Sequence, residues 1–160
     1  MPRASIFDPY RTFKFRVRFG DNTVAGITKV SALSRTVTPN ELKEGGDLLS
    51  PRNNPGAVRY DEVVLEKGLS FHNSFEEWAN AVVSLQSDPG STTGFKRTVY
   101  IDVFDLNGNP RDRKSVPVAS YKLNRAWITK YTALPELDAS SGGFGIQSVT
   151  LRHEGWERVI

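Results

Sequence analysis

The residues able to do chemistry are few, and their spacing argues against most of it. Cysteine is absent, which removes disulfides and thiolate metal sites. The two histidines, His72 and His153, are too few to supply a zinc site without cysteine partners. His153 precedes Glu154, but in an extended run the two side chains point to opposite faces, the wrong geometry for a base and its orienting group. Glu76 and Glu77 sit together in a helical pattern, where adjacent positions diverge by about 100°. Gly45-Gly46 lacks the strand, helix and lysine of a phosphate-binding loop. With no nucleophile beside a base, the sequence is read as non-enzymatic, with no cofactor and no metal. What remains is charge. Lys14, Arg16 and Arg18 alternate with Phe13, Phe15, Val17 and Phe19, so one face of a strand is cationic. That face is first a solvated sheet surface, and second a charged wall meeting a partner or lining a passage. A nucleic-acid-binding barrel is a further alternative, but the aromatics of this strand alternate away from the cations, leaving no stacking platform beside them.

The chain has 160 residues, which fits a single domain over 1–160 with one core. A net charge of +3 spread along the chain is weak support for a polyanionic partner. No apolar run approaches the roughly 18 residues of a membrane span, and the N-terminus shows no signal-peptide stretch, so a soluble chain with neither membrane anchor nor signal peptide is expected.

The elements that must position these residues are mostly strands. Phe13–Phe19 is a half-buried strand, Gly20-Asp-Asn22 a turn, and Thr23–Leu33 a second strand with a bulge at Gly26. Thr36–Lys43 reads as a third strand that Pro39 confines to an edge or breaks. Residues 44–56, rich in Gly, Pro and Asn, read as a long surface loop carrying the apolar pair Leu48-Leu49. Val58–Ser70 is a strand. Ser74 and Glu77 form a capping box, opening a helix whose Phe75, Trp78, Ala79, Val82 and Val83 make one apolar stripe. Phe95–Leu106 is a strand covered on both faces, Asn107-Gly-Asn-Pro110 a turn, and Arg111-Asp-Arg-Lys114 a charged tip. Val116–Trp127 returns, and Lys122–Tyr131 and Gly145–Trp156 form a hairpin-like pair that closes the β-structure. About seven strands, one helix and no βαβ alternation predict an α+β fold: a mainly antiparallel β-sandwich or barrel with one packed α-helix.

Read in order, Asp8-Pro-Tyr-Arg11, Phe13-Lys-Phe-Arg-Val17, Val24-Ala-Gly26, Val30-Ser-Ala-Leu33, Glu44-Gly-Gly46, Pro55-Gly56, Leu65-Glu-Lys-Gly-Leu-Ser70, Trp78, Ala126-Trp-Ile-Thr-Lys-Tyr131, Leu137-Asp-Ala139 and Leu151-Arg-His-Glu-Gly155 are each short. Their order and spacing resemble the tail-tube (inner tube) proteins of contractile phage tails and phage-tail-like contractile injection systems. The resemblance implies a structural subunit that forms stacked hexameric rings with a shared inner β-barrel, propelled through a target envelope by sheath contraction. It also implies partners: identical copies, a sheath protein, baseplate or hub, tape-measure or cap proteins, and DNA or protein cargo in the lumen. The place implied is a phage virion tail or tail-like particle assembled in the bacterial cytoplasm. A baseplate-proximal tube-initiator ring is the alternative within the family. On this resemblance residues 36–57 are an inter-subunit loop, with Glu44, Gly45, Gly46, Asp47, Leu48 and Leu49 as the stacking arm, and Lys14, Arg16 and Arg18 are the candidate lumen or charged wall if their strand reaches the bore. A lone subunit is expected to leave strand edges that a closed ring removes.

Overall fold

The structure is a computed structural model that describes residues 14–20, 22–24, 26–42, 52–69, 73–87, 95–140 and 142–160. In β1 (Phe15–Phe19) the alternation does what a period of two requires: Val17 and Phe19 are buried in the core and Phe15 packs against it. β1 turns back into β2 (Asn22–Val24), with Phe19 opposite Asn22. Gly26 follows at a φ of +81°, and β3 (Ile27–Val30) leaves for a different neighbour, β6 (Val63–Gly68). The expected second strand is therefore two strands with a corner at Gly26. Between β3 and β6 the chain makes a separate two-stranded ribbon of β4 (Arg35–Leu42) and β5 (Arg52–Tyr60). The helix α1 (Ser74–Ser87), then β7 (Arg97–Val103), β8 (Ala119–Thr132), β9 (Ile146–Arg152) and β10 (Trp156–Arg158) complete the described elements.

The main sheet is antiparallel throughout, in the order β2-β1-β7-β8-β9-β6-β3, with β10 beside β8. Its margins, β2 and β3, are consecutive in the chain, and the span from Val24 to Ile27 limits their ends to about 11 Å apart. The sheet therefore curls back on itself. Among the described residues β2, β3 and β10 each pair on one side only, and both strands of the β4–β5 ribbon carry an open edge.

β8 makes the curl possible. Its first half pairs with β7 and β10 and its second half, from Trp127, with β9. At the change of partner Arg125 takes a φ of +49°, and Asn124 bonds across to Glu154 and Gly155 at 2.9 and 2.8 Å. A left-handed residue inside a strand is a bulge that re-aims the chain. The runs expected at Val116–Trp127 and Lys122–Tyr131 are thus one bent strand.

The helix covers the barrel with Phe75, Trp78 and Ala79. The Trp78 ring lies 4.6 Å from that of Phe19, and its Nε1 donates to the Phe95 carbonyl at 2.7 Å. Val83 points outward, so the apolar stripe is narrower than its spacing implies. The helix starts one residue earlier than the capping box suggests: the Asn73 carbonyl accepts from the Glu77 N–H, which makes Asn73 the cap.

The run expected at Val58–Ser70 breaks at Asp61-Glu62, where the ribbon ends and β6 begins. The loop expected over 44–56 is shorter, because residues 52–56 are already β5. Its prolines do not prevent this: Pro39 stands opposite Pro55, so neither removes an N–H from a sheet interior. Val37 faces Val58 and Pro39 faces Pro55, so β5 carries one extra residue at this point. Gly56 sits in that bulge, where an added Cβ would stand 2.5 Å from the Thr38 carbonyl oxygen. Gly56→Ala is expected to open the ribbon there while leaving the barrel intact. Amide exchange at residues 36–41 and 53–59 should quicken at least about tenfold, with protection of β7 and β8 unchanged.

Candidate functional site

Two of the three cations, Arg16 and Arg18, converge on one carboxylate, and Lys14 bonds the loop beside them. Arg16 and Arg18 face Asp102 and Tyr100 across the β1–β7 register. Asp102 is wholly buried. It accepts from Arg16 Nε at 3.0 Å, from Arg18 Nε at 2.7 Å and Nη2 at 3.2 Å, and from the Ser120 hydroxyl at 2.6 Å. Arg16 Nη2 closes a second contact at 2.9 Å. The guanidinium of Arg16 lies over the Phe104 ring and that of Arg18 over Tyr100. Arg16 also donates to the Asp112 carbonyl, and Lys14 Nζ to the carbonyls of Leu106 and Gly108 at 2.6 and 3.1 Å.

The solvated cationic surface expected of this face is therefore a paired one, covered by the loop between β7 and β8. Burial pushes the Asp102 carboxyl up, but the bonds from Arg18, Ser120 and Arg16 and the charge of Arg18 outweigh it and hold the group below its ordinary value. Lys14, Arg16 and Arg18 are brought together as the sequence implied, yet Arg16 is buried while Lys14 and Arg18 stay partly exposed, Arg18 with 27% of its side chain in solvent. Aromatic rings do stand on this face, supplied by β7, and both are capped by guanidinium groups. Asp102 and Ser120 were not singled out by the sequence reading. The available signal was a lone carboxylate among Val99, Ile101 and Val103 in a strand covered on both faces.

A second feature is the β4–β5 ribbon. Val37 and Val58, direct cross-strand partners, are 42% and 53% exposed. Only the base of the ribbon meets the barrel. There Tyr60 stacks edge-on against Trp156 at 6.4 Å, Arg35 lies 5.6 Å above the Trp156 ring, and Gly155, at a φ of +130°, lets the Tyr60 ring approach. Glu44, Gly45, Gly46, Asp47, Leu48 and Leu49, between the two strands, lie outside the described residues.

No group of three or more metal-ligating side chains occurs among the described residues. A cleft of about 680 Å³ beside the start of α1 is lined by Ser74, Glu77, Arg97 and Thr98 among others. His153 and Glu154 lie in the turn between β9 and β10 rather than in a strand. His153 Nε2 is 3.1 Å from the Asp61 carbonyl, and Glu154 pairs with Lys96 and Arg125. No described helix is long and apolar enough to cross a membrane.

The fold is shared with subunits of three solved assemblies. A chain of the anti-feeding prophage tube-terminating cap matches at a TM-score of 0.76 and 22% identity, over 96% of this chain and 93% of its own. A chain of the PVC sheath-tube complex, an extracellular contractile injection system in its extended state, gives 0.76 and 19% over 96% and 93%. One from the anti-feeding prophage baseplate gives 0.75 and 20% over 95% and 96%. Comparison with curated proteins returns no match. Residues 11–157 match the family of the T4-like virus tail tube protein gp19, a family of structural tube proteins rather than enzymes. With that match spanning nearly the whole barrel, its helix and the ribbon, the chain belongs to the T4-like tail tube protein family.

Proposed function

We propose that this chain is the repeating wall subunit of the rigid inner tube of a contractile tail or injection system. Six copies form a ring, rings stack into a hollow tube, and contraction of a surrounding sheath drives the tube through a target envelope while its bore carries DNA or cargo. The observation that carries this reading is the family match over residues 11–157. The structural relatives come from a sheath-tube complex, a baseplate and a cap, which makes sheath, baseplate or hub, and tape-measure or cap proteins the proposed partners. The particle is a phage tail or tail-like particle, assembled in the bacterial cytoplasm.

Residues 44–49, which join the two ribbon strands in sequence, are proposed as the stacking arm, with Leu48 and Leu49 packing on a neighbouring copy. Of the three cations, Lys14 and Arg18 keep side-chain surface to offer a bore, and Arg16 is buried. Electron microscopy of concentrated protein should show rings of six subunits or tubes. A monomer persisting at high concentration, with no rings in assembled particles, defeats the reading. Leu48→Asp with Leu49→Asp should leave circular dichroism and melting unchanged while tubes disappear; loss of the folded state would assign the leucines to the subunit's own core. Because one relative belongs to a baseplate, a tube-initiator ring is the second reading, and subunit counting settles it: one or two rings per particle for an initiator, many for a tube.

A further inference from the structure

Stacking needs an axial contact, and the two ends of β8 are built as a matching pair. The inference rests on the tube reading and names a surface within it, separate from the arm at 44–49. β8 has 14 residues, an extended span of up to about 45 Å. The loop before it, residues 104–118, and the loop after it, residues 133–145, therefore leave from opposite ends of the strand.

The first loop is held by its own polar groups. Asp105 Oδ1 accepts from the N–H groups of Asn107 and Gly108, Asn109 Oδ1 from Arg111, Asp112 Oδ1 from Lys114, and Ser115 Oγ from Asn109, all at 3.0 to 3.1 Å. Lys14 and Arg16 pin it to the start of the barrel. It presents Arg111, Arg113 and Lys114 to solvent, with Leu106 and Val116 exposed beside them. The second loop contains no lysine or arginine. It exposes Glu136, Asp138, Leu134 and Leu137, and Phe144 is 96% exposed. Leu137, Asp138 and Phe144 border a cleft of about 420 Å³. The Ser140 hydroxyl and N–H both donate to Asp138, at 2.6 and 2.9 Å.

Opposite charges flanking exposed apolar side chains, at the two ends of one bent strand, make a head-to-tail contact that repeats without closing. We propose that the 104–118 loop of one copy docks on the 133–145 loop of the copy stacked next to it along the tube axis. Arg111, Arg113 and Lys114 face Glu136 and Asp138, and Val116 enters the cleft beside Phe144.

Charge reversal tests this. Arg111→Glu with Arg113→Glu and Lys114→Glu, and separately Glu136→Lys with Asp138→Lys, should leave ring formation and melting as in the native chain. Each should shorten tubes at least about tenfold, since like charges then face one another across the contact. A chain carrying all five changes restores the complementarity and should stack again. Variants that stack like the native chain, or a five-fold variant that does not recover, overturn the proposal; where rings persist in either case, the tube reading stands. A native chain that forms no rings at all defeats the tube reading and this proposal with it. Should a reversed variant misfold, the cysteine-free background offers a second test. Val116→Cys combined with Phe144→Cys should give, on oxidation, a ladder of cross-linked oligomers, and only monomer under those conditions would refute the contact.

Discussion

Asp102→Asn is expected to lower the unfolding midpoint by about 6–20 °C, which is the effect of some 3–5 kcal/mol on a domain of this size. The carboxylate is wholly buried and is the common partner of Arg16, Arg18 and Ser120. Removing its charge leaves Arg16, itself buried, with a guanidinium that keeps the Asp112 carbonyl and the Phe104 face but loses its counter-ion. An uncompensated buried charge is what makes breaking such a cluster so costly, whereas replacing all its members together is often neutral. Arg16→Met with Arg18→Leu and Asp102→Leu, made with Ser120→Ala so that no buried hydroxyl loses its acceptor, is therefore expected to melt within a few degrees of the native protein, although three charged groups have gone. A single Asn variant as stable as the native chain would show that water reaches the cluster.

The same carboxylate sets an acid limit. Its folded-state pKa lies below the ordinary value near 4, so the stability it contributes is complete above the unfolded pKa. That contribution is lost as pH falls through the folded value. The native midpoint should accordingly drop below about pH 4 more steeply than that of the apolar variant, measured by calorimetry at fixed ionic strength.

Much of this fold was legible because one face of each strand is buried and a period of two then shows in the letters. Phe15, Val17 and Phe19, or Val99 and Ile101, could hardly be read otherwise. The corner at Gly26 and the bend at Arg125 were not legible, since each depends on which neighbour the chain pairs with next, a long-range fact with no local signature. The ribbon was half legible: prolines and asparagines suggested a loop, and only the facing of Pro39 with Pro55 shows how a strand pair accommodates them. Lys14, Arg16 and Arg18 were found by alternation alone, but the pairing of the two arginines with Asp102 was not. Alternation tells which side chains share a face and says nothing about what another strand and a loop lay over that face.

Excising residues 36–59 and joining Arg35 to Tyr60 through Asn-Gly should leave a folded barrel that forms no tubes. Arg35 and Tyr60 are register partners at the ribbon base, so a two-residue turn preserves the ladder and their packing on Trp156. None of the described residues removed belongs to the buried core cluster. An isolated two-stranded ribbon is marginal in water, and here the Val37–Val58 pair lies open on its surface. Shortening the excursion also reduces the entropy of closing it, which offsets part of the lost strand pairing. The unfolding midpoint should therefore move by only a few degrees. A fall as large as that of Asp102→Asn would place the ribbon in the core. Tubes that still form in normal numbers would show that the contacts at the two ends of β8 hold the stack without it.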